Sequence, residues 1–503
     1  MEWRCILIKK KIIYVLLILI TTLVVIPKFF QNDLFFDIKT GESILKYGID
    51  FIDHFSFISG LTYIYHHWLY DLVIYYIYSL FNFNGVFIFN LIIYSIFGCV
   101  VFFINNKRIN NCLISFVVTI FVIITSSYAF GSRVQSMTYI LFLLEIYFLE
   151  KLYVDGKKKY ALYLLIISIL IVNLHMPLWI FSLILFLPYI FEYLINKVLS
   201  KSKKYINIFS NKIVIVSPKN TKLLLFTFIL MIFSGLLSPL KYYPYIFFTK
   251  SLFNSSYAFI GEMSKTVLYY RIWEIYLIVF VILLLLINKC KIKLRDLSLF
   301  IGLFLFSIIA FRNVIYFYII IPTIIVKIIS ESYNINFNID KLIQKRVKFN
   351  KRTVGVFTCI FLSIIYIILL NNLDLSSNDF NISKSYPVKS VQYIKTNLDY
   401  KNIILYNDFD YGSYIEFNDI PVFIDSRAEV YLKEFNGGKD IIGDYLKTMN
   451  VKDYKKIFKK YDFTHALVYR ESDISYLLSI DHNYKKIFEE DNYVLYENVK
   501  MVK

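Results

Sequence analysis

The sequence predicts a polytopic α-helical membrane protein of about 11 transmembrane helices. It also predicts an interfacial helical first external loop and a small C-terminal α/β domain. Three observations point there. Of 503 residues, 58% are hydrophobic, and the mean hydropathy is +0.57, more apolar side chain than the surface of a soluble protein can absorb. The apolar residues fall in runs long enough to approach a ~30 Å hydrocarbon core, beginning near residues 11, 85, 112, 134, 160, 177, 223, 273, 297, 313 and 353. The charge is also segregated. Residues 371–503 hold 18 Lys+Arg against 21 Asp+Glu, so the first 370 residues carry +21 within a chain total of +18. Positive charge lodged between apolar runs reports topology, and no nucleic-acid partner is expected.

The chain divides into residues 1–370, the membrane part, and residues 371–503. Its first apolar run follows basic residues but lacks a small-residue cleavage site, so it reads as a retained helix. Residues 31–84 form the first external loop, and its stretch Gln31–Leu69 gathers Asp33, Asp37, Glu42, Asp50, Asp53, His54, His66, His67 and Trp68. Carboxylates beside a membrane are costly to desolvate, so five of them in one loop mark either a wet loop or an active site. The segment Trp68–Phe81, with Asp71 near its start, is short for a crossing.

Charge decides its placement. If 68–81 lies in the interface, then the N-terminus and residues 105–111, 151–159, 196–222, 289–296 and 331–352 share one side and hold most of the cations. If it crosses, that bias collapses. The positive-inside rule therefore puts the N-terminus in the cytoplasm, and the first loop and C-terminal domain outside. The five cysteines show no metal spacing and no disulfide framework.

From about Asn371 the apolar runs shorten to strand length, as in NIILYN (402–407), PVFID (421–425), HALVY (465–469) and NYVLYE (492–497). Helical patterns alternate with them in VKSVQYIKTNL, KDIIGDYLKTM and DYKKIFKKY, which indicates a small α/β domain. The segment YNDFDYGSYIEF reads as turn-rich and acidic. Arg427 follows a buried-looking strand.

No Walker loop, GxSxG, HExxH or dinucleotide fingerprint is present. The outer face does hold a constellation. Asp33 and Asp37 are spaced i, i+4 and share one face of a helix that stops at Gly48, a pairing suited to a general base or a metal ligand. At the ends of other spans on the same side are Arg133, His175, Arg271 and Arg312. Arginine binds phosphate through paired donors and stays charged; its ordinary role at such a place is snorkelling to the interface.

These residues resemble integral-membrane glycosyltransferases of the C superfamily, of the protein O-mannosyltransferase and aminoarabinose transferase type. That family places an Asp after the first span, opening an interfacial helix that ends in Gly, and Asp33 and Gly48 keep that spacing. The second acid of the family pattern is Leu34 here. The order of motifs is similar to an uncharacterised bacterial branch: DLFFDIKTG, DHFSF, HHWL, RVQ, NLHMP, SPLKYYP and RNV, then NDFDYGSY and FIDSRAEVY. Asp37 stands for His, Met176 for Gly and Ser426 for Gly in that pattern.

The resemblance implies an enzyme, a glycosyltransferase moving a hexosyl or pentosyl group from a polyprenyl-phosphate donor at the external membrane face, with inversion. The acceptor would be a glycan, lipid or protein. It implies Asp33 and Asp37 as catalytic residues, and Asp53, His66, Arg133, His175, Arg271 and Arg312 as substrate or donor contacts. Some relatives use a divalent metal, for which Asp33, Asp37 and His66 are the candidate ligands; no other cofactor is expected. The alternatives are a transporter or flippase of a lipid-linked saccharide, which should show two repeated halves, and a non-catalytic membrane scaffold. The topology has a direct check: a tag at the C-terminus should be cut by protease added to intact cells, and protection until lysis would reverse the assignment.

Overall fold

Inside hydrocarbon a backbone must satisfy its own N–H and C=O groups, so the long apolar runs of this chain become helices. The computed structural model describes residues 2–200, 212–252, 261, 271–287, 290–332, 380 and 382–501. The first 332 residues give α1 (Glu2–Val25), α2 (Asn32–Tyr47), α3 (Trp68–Ile109), α4 (Cys112–Ser126), α5 (Gln135–Asp155), α6 (Lys158–Leu174), α7 (Met176–Leu199), α8 (Thr221–Ser234), α9 (Tyr243–Leu252), α10 (Ile272–Leu286), α11 (Leu294–Ile309) and α12 (Val314–Ser332). Among the described residues, Trp68–Ile109, Cys112–Ala129, Met176–Leu199 and Phe311–Ser332 are long and apolar enough to cross a membrane, while Lys11–Val25, Thr221–Ser234 and Ile272–Leu286 are shorter apolar helices. The expected span near residue 353 lies outside the described residues.

At 42 residues, α3 would run roughly 63 Å if straight, twice the hydrocarbon thickness. It is not straight. Asn82 has φ 52° and ψ −155°, a left-handed φ that Asn tolerates better than most residues. The break separates Trp68–Phe81 from residues 83–109. Helix α12 occupies the centre of the bundle and is buried from Val314 to Ile328. Near the far end of α5, Arg295 on α11 bonds Glu150 at 2.9 Å and also Glu192, and Lys327 on α12 bonds Glu150 at 2.7 Å. Buried charges need such partners. The cluster lies roughly 25 Å along α5 from Arg133, which precedes that helix.

Residues 382–501 carry a four-stranded sheet in the order β3 (Leu405–Tyr406), β4 (His465–Tyr469), β6 (Tyr493–Asn498), β5 (Tyr484–Glu489); β1 (Ile213–Val214) and β2 (Ile292–Lys293) form a separate parallel pair. β3 is parallel to β4, and the other two pairings are antiparallel. Around the sheet lie α13 (Val388–Asn397), α14 (Phe409–Phe417), α15 (Ile441–Met449), α16 (Tyr454–Lys460) and α17 (Asp473–Ile480). The acidic segment expected as turns, residues 406–417, instead runs from the last residue of β3 into α14. A Cβ on Gly412 would fall 2.1 Å from Ile424 O, so α14 can lie against residues 422–425 only with glycine there. PVFID is not a strand of the sheet. Val422 bridges to Ser56 instead, with Val422 N donating to Phe55 O at 3.2 Å and Phe57 N to Val422 O at 3.3 Å. The first loop thus takes up the backbone groups of Val422, while the Asn407 side chain accepts from Phe423 N at 2.9 Å and donates to Ile424 O at 2.6 Å.

A buried charge cluster closes this junction. Arg427 is fully enclosed and pairs with Asp53 at 2.7 Å and Asp425 at 2.5 Å, with Glu416 at 3.5 Å. Burial pushes the Glu416 carboxyl well above its usual range despite Arg427, and the guanidinium's closest partners are Asp53 and Asp425. Replacing Arg427 with Leu strands two buried carboxylates. Chemical denaturation of the purified protein should show a loss of about 3–5 kcal/mol; an unchanged midpoint would mean that the cluster does not hold the junction.

Candidate active site

Helix α2 begins one residue after Gln31, whose backbone is extended, and stops at Gly48 with φ 77°. Its inward face carries Leu34, Phe35, Asp37, Ile38, Gly41 and Ile44. One contact fixes where that face sits. A Cβ on Gly41 would lie 2.3 Å from Asp71 O and 2.5 Å from Tyr75 Cβ. Only a glycine lets α2 lie this close to the first turns of α3, and the approach brings Asp37 to Asp71.

Four side chains meet there. Asp33, in the first turn of α2 and 29% exposed, has Oδ2 3.1 Å from Arg133 Nε. One turn further in, Asp37 is buried, and its Oδ1 is 3.8 Å from His67 Nδ1. His67 caps the start of α3, and Asp71 lies one turn below it, fully buried. Ligand atoms of Asp37, His67 and Asp71 lie within 4.8 Å of one another. Burial, with Asp33 adding to it, pushes the Asp37 carboxyl well above the usual carboxylate range. Burial also pushes both His66 and His67 down to about 4, so each imidazole is neutral near pH 7.

The histidines form a chain of rings. The His66 and His67 centroids are 4.4 Å apart, and those of His67 and His175 are 4.9 Å apart. His175 is held by Thr138 Oγ1 at 3.0 Å, and Met176 N donates to His66 O at 3.0 Å. The HHWL and NLHMP segments are thereby stitched together. Trp68 Nε1 adds a bond to Asn173 Oδ1 at 3.3 Å. From the C-terminal segment, Glu429 brings a carboxylate oxygen to 3.4 Å from His66 Nδ1.

Of the residues expected from sequence, Asp33, Asp37, His66, Arg133 and His175 gather here. Arg312, exposed on the turn before α12, is close enough for its charge to act on His175. Two expected contacts are elsewhere. Asp53 is occupied by Arg427. Arg271 is buried against Glu274, 2.6 Å away, and Ser307. The expected metal group of Asp33, Asp37 and His66 is not the one that converges, because His66 Nδ1 turns to Ile64 O at 2.7 Å while its neighbour His67 faces Asp37. Sequence reading did not select His67, Asp71 or Glu429. The i, i+4 spacing of His67 and Asp71 across a helix start was the available signal.

No family model and no curated protein matches the chain. Solved structures do. Over 99% of this chain and 98% of that one, it is similar to ArnT from Cupriavidus metallidurans bound to undecaprenyl phosphate, with a TM-score of 0.50 and 13% identity. The apo state of the same protein gives 0.52 at 12% identity, covering 98% of each chain. The apolar helices and this likeness define a mostly helical membrane protein. More particularly, its fold is the one seen in ArnT, shared end to end.

The Gly41 contact makes a sharp prediction. Gly41→Ala should destabilise the protein by about 1–3 kcal/mol, because the added methyl forces α2 off α3. Gly302→Ala, on a helix with open space around it, should be neutral or stabilising. Denaturation midpoints of the two purified variants check this directly.

Proposed function

We propose that this chain is an inverting glycosyltransferase of the C superfamily that takes a sugar from a polyprenyl-phosphate donor at the external face of the membrane. The observation that carries the reading is the pairing of a partly exposed carboxylate, Asp33, with Arg133 at 3.1 Å beside a buried acid and histidine cluster. The fold likeness to ArnT, solved with undecaprenyl phosphate, supports the donor class. Residues 371–503 serve as an extracytoplasmic domain, and their contacts with the first loop fit that placement.

In this reading Asp33 takes the proton from the acceptor's attacking group. That group adds to the anomeric carbon as the bond to the donor phosphate breaks, inverting the carbon. The departing phosphate needs no proton, only positive charge held in place. Arg133 supplies that charge beside the base, and Arg312, close enough for its charge to act on His175, is the second candidate. His66 and His67, neutral and buried, line the wall. Arg271 has no part, since Glu274 and Ser307 engage it.

Asp33→Asn tests the assignment. The acceptor's proton then has no base, and transfer should fall about 10²–10⁴-fold with unchanged membrane insertion. Mass spectra of surface glycans and lipid-linked saccharides, from a deletion strain complemented with wild-type or variant protein, report it. Full restoration by the variant would remove Asp33 from the mechanism.

A further inference from the structure

Beneath Asp33 lies a group that the transfer chemistry does not use. Asp37 is 2% exposed and Asp71 is wholly enclosed, yet Asp37 Oδ1, His67 Nδ1 and both oxygens of Asp71 lack any hydrogen-bond partner. Buried polar atoms without partners are rare, because each costs about 1–3 kcal/mol. Here one ligand atom from each of the three residues lies within 4.8 Å of the others. A proton shared between the two carboxylates would satisfy one oxygen on each. It leaves His67 Nδ1 with nothing, since Asp37 Oδ1 at 3.8 Å is too far for a hydrogen bond.

We propose that Asp37, His67 and Asp71 bind a divalent transition-metal ion, with Zn²⁺ as the first candidate and Mn²⁺ the second. The geometry fits. Ligands about 2.1 Å from a tetrahedral ion stand about 3.4 Å apart, and these atoms already lie within 4.8 Å of one another. Small side-chain rotations close the difference. The donor set of one imidazole nitrogen with carboxylate oxygens suits Zn²⁺ or Mn²⁺ better than Mg²⁺ or Ca²⁺, which favour oxygen alone.

The charges agree as well. Asp37 feels Asp33, Asp71 and Arg133; fully ionised, these four groups sum to −2, which one dication cancels. Two ligands come from one helical turn, His67 and Asp71, and the third from α2 across the Gly41 contact. Three protein ligands leave a coordination position open. The expectation from sequence named Asp33 and His66 beside Asp37. The structure assigns the ion one turn deeper, and leaves Asp33 out of the ligand set. The inference does not depend on sugar transfer, since an ion can be counted in protein of any activity.

The test uses purified full-length protein in detergent, stripped with chelator and reloaded with Zn²⁺ or Mn²⁺ alone, its metal content read by mass spectrometry. Wild type should hold about one ion per chain. Loss of an outer-shell partner already costs about 10–100-fold in affinity, so Asp71→Asn and His67→Gln should lose at least that much and elute as wild type on size exclusion. Asp33→Asn should keep its ion. No uptake by wild type, or equal uptake by both ligand variants, overturns the proposal in favour of a shared proton. Should the variants not fold, Co²⁺-loaded wild type decides: a low-coordinate visible spectrum supports the site, and that of the hydrated ion rejects it.

Discussion

The distance between α2 and α3 at Gly41 governs the candidate site. Two helices with ordinary side chains at their crossing keep their axes 8–10 Å apart. Here the Asp71 carbonyl stands where a Cβ would be, so the backbones are nearer than most residues allow. The meeting of the acids follows from that spacing. Asp37, one turn before Gly41, meets Asp71, and Asp33, a further turn out, reaches the Arg133 side of the opening. A longer crossing distance would leave the same residues in place along the chain and too far apart to act together.

That crossing would have little value if the loop between the two helices could drift. Residues 48–67 contain little regular structure, and their order comes from elsewhere in the chain. Thr62 donates to Phe435 O at 2.6 Å, Ser56 to Val422 O at 2.9 Å, and Lys39 on α2 pairs with Asp419 at 2.7 Å. Arg427 adds a fully enclosed ion pair, to Asp53. These contacts join positions more than 350 residues apart in sequence. The C-terminal segment is thus part of the frame that sets the site, and through Glu429 beside His66 it touches the histidine wall itself.

Much of this was legible in the sequence, and the pattern of misses has a physical cause. Helix α2, with Asp33 near its start and Gly48 at its end, followed from i, i+4 spacing and a glycine stop, both local signals. HALVY became β4 residue for residue, and the three helical patterns after residue 388 became α13, α15 and α16 to within two residues. The failures lie where a partner distant in sequence decides. PVFID is as apolar as a strand, but the first loop and the Asn407 side chain took its hydrogen bonds. Asp53 and Arg271 carry charges suited to substrate, but each had already found a buried counter-ion. No reading of spacing shows that His67 faces Asp37 while His66 turns to Ile64 O.

The difference in exposure between Asp33 and Asp37 bears on which acid can do chemistry. A general base must meet an acceptor arriving from solvent, and it must be free of its own proton when that happens. Asp33, at 29% side-chain exposure beside a guanidinium, satisfies the first condition and lies next to positive charge. Asp37 satisfies neither, because burial and the neighbouring carboxylate favour its neutral form. An acid of that kind is poorly suited to take a proton from outside. Two carboxylates at successive turns of one helix thereby differ in access, one open to solvent beside Arg133 and one enclosed, and their surroundings, more than their chemistry, make the difference.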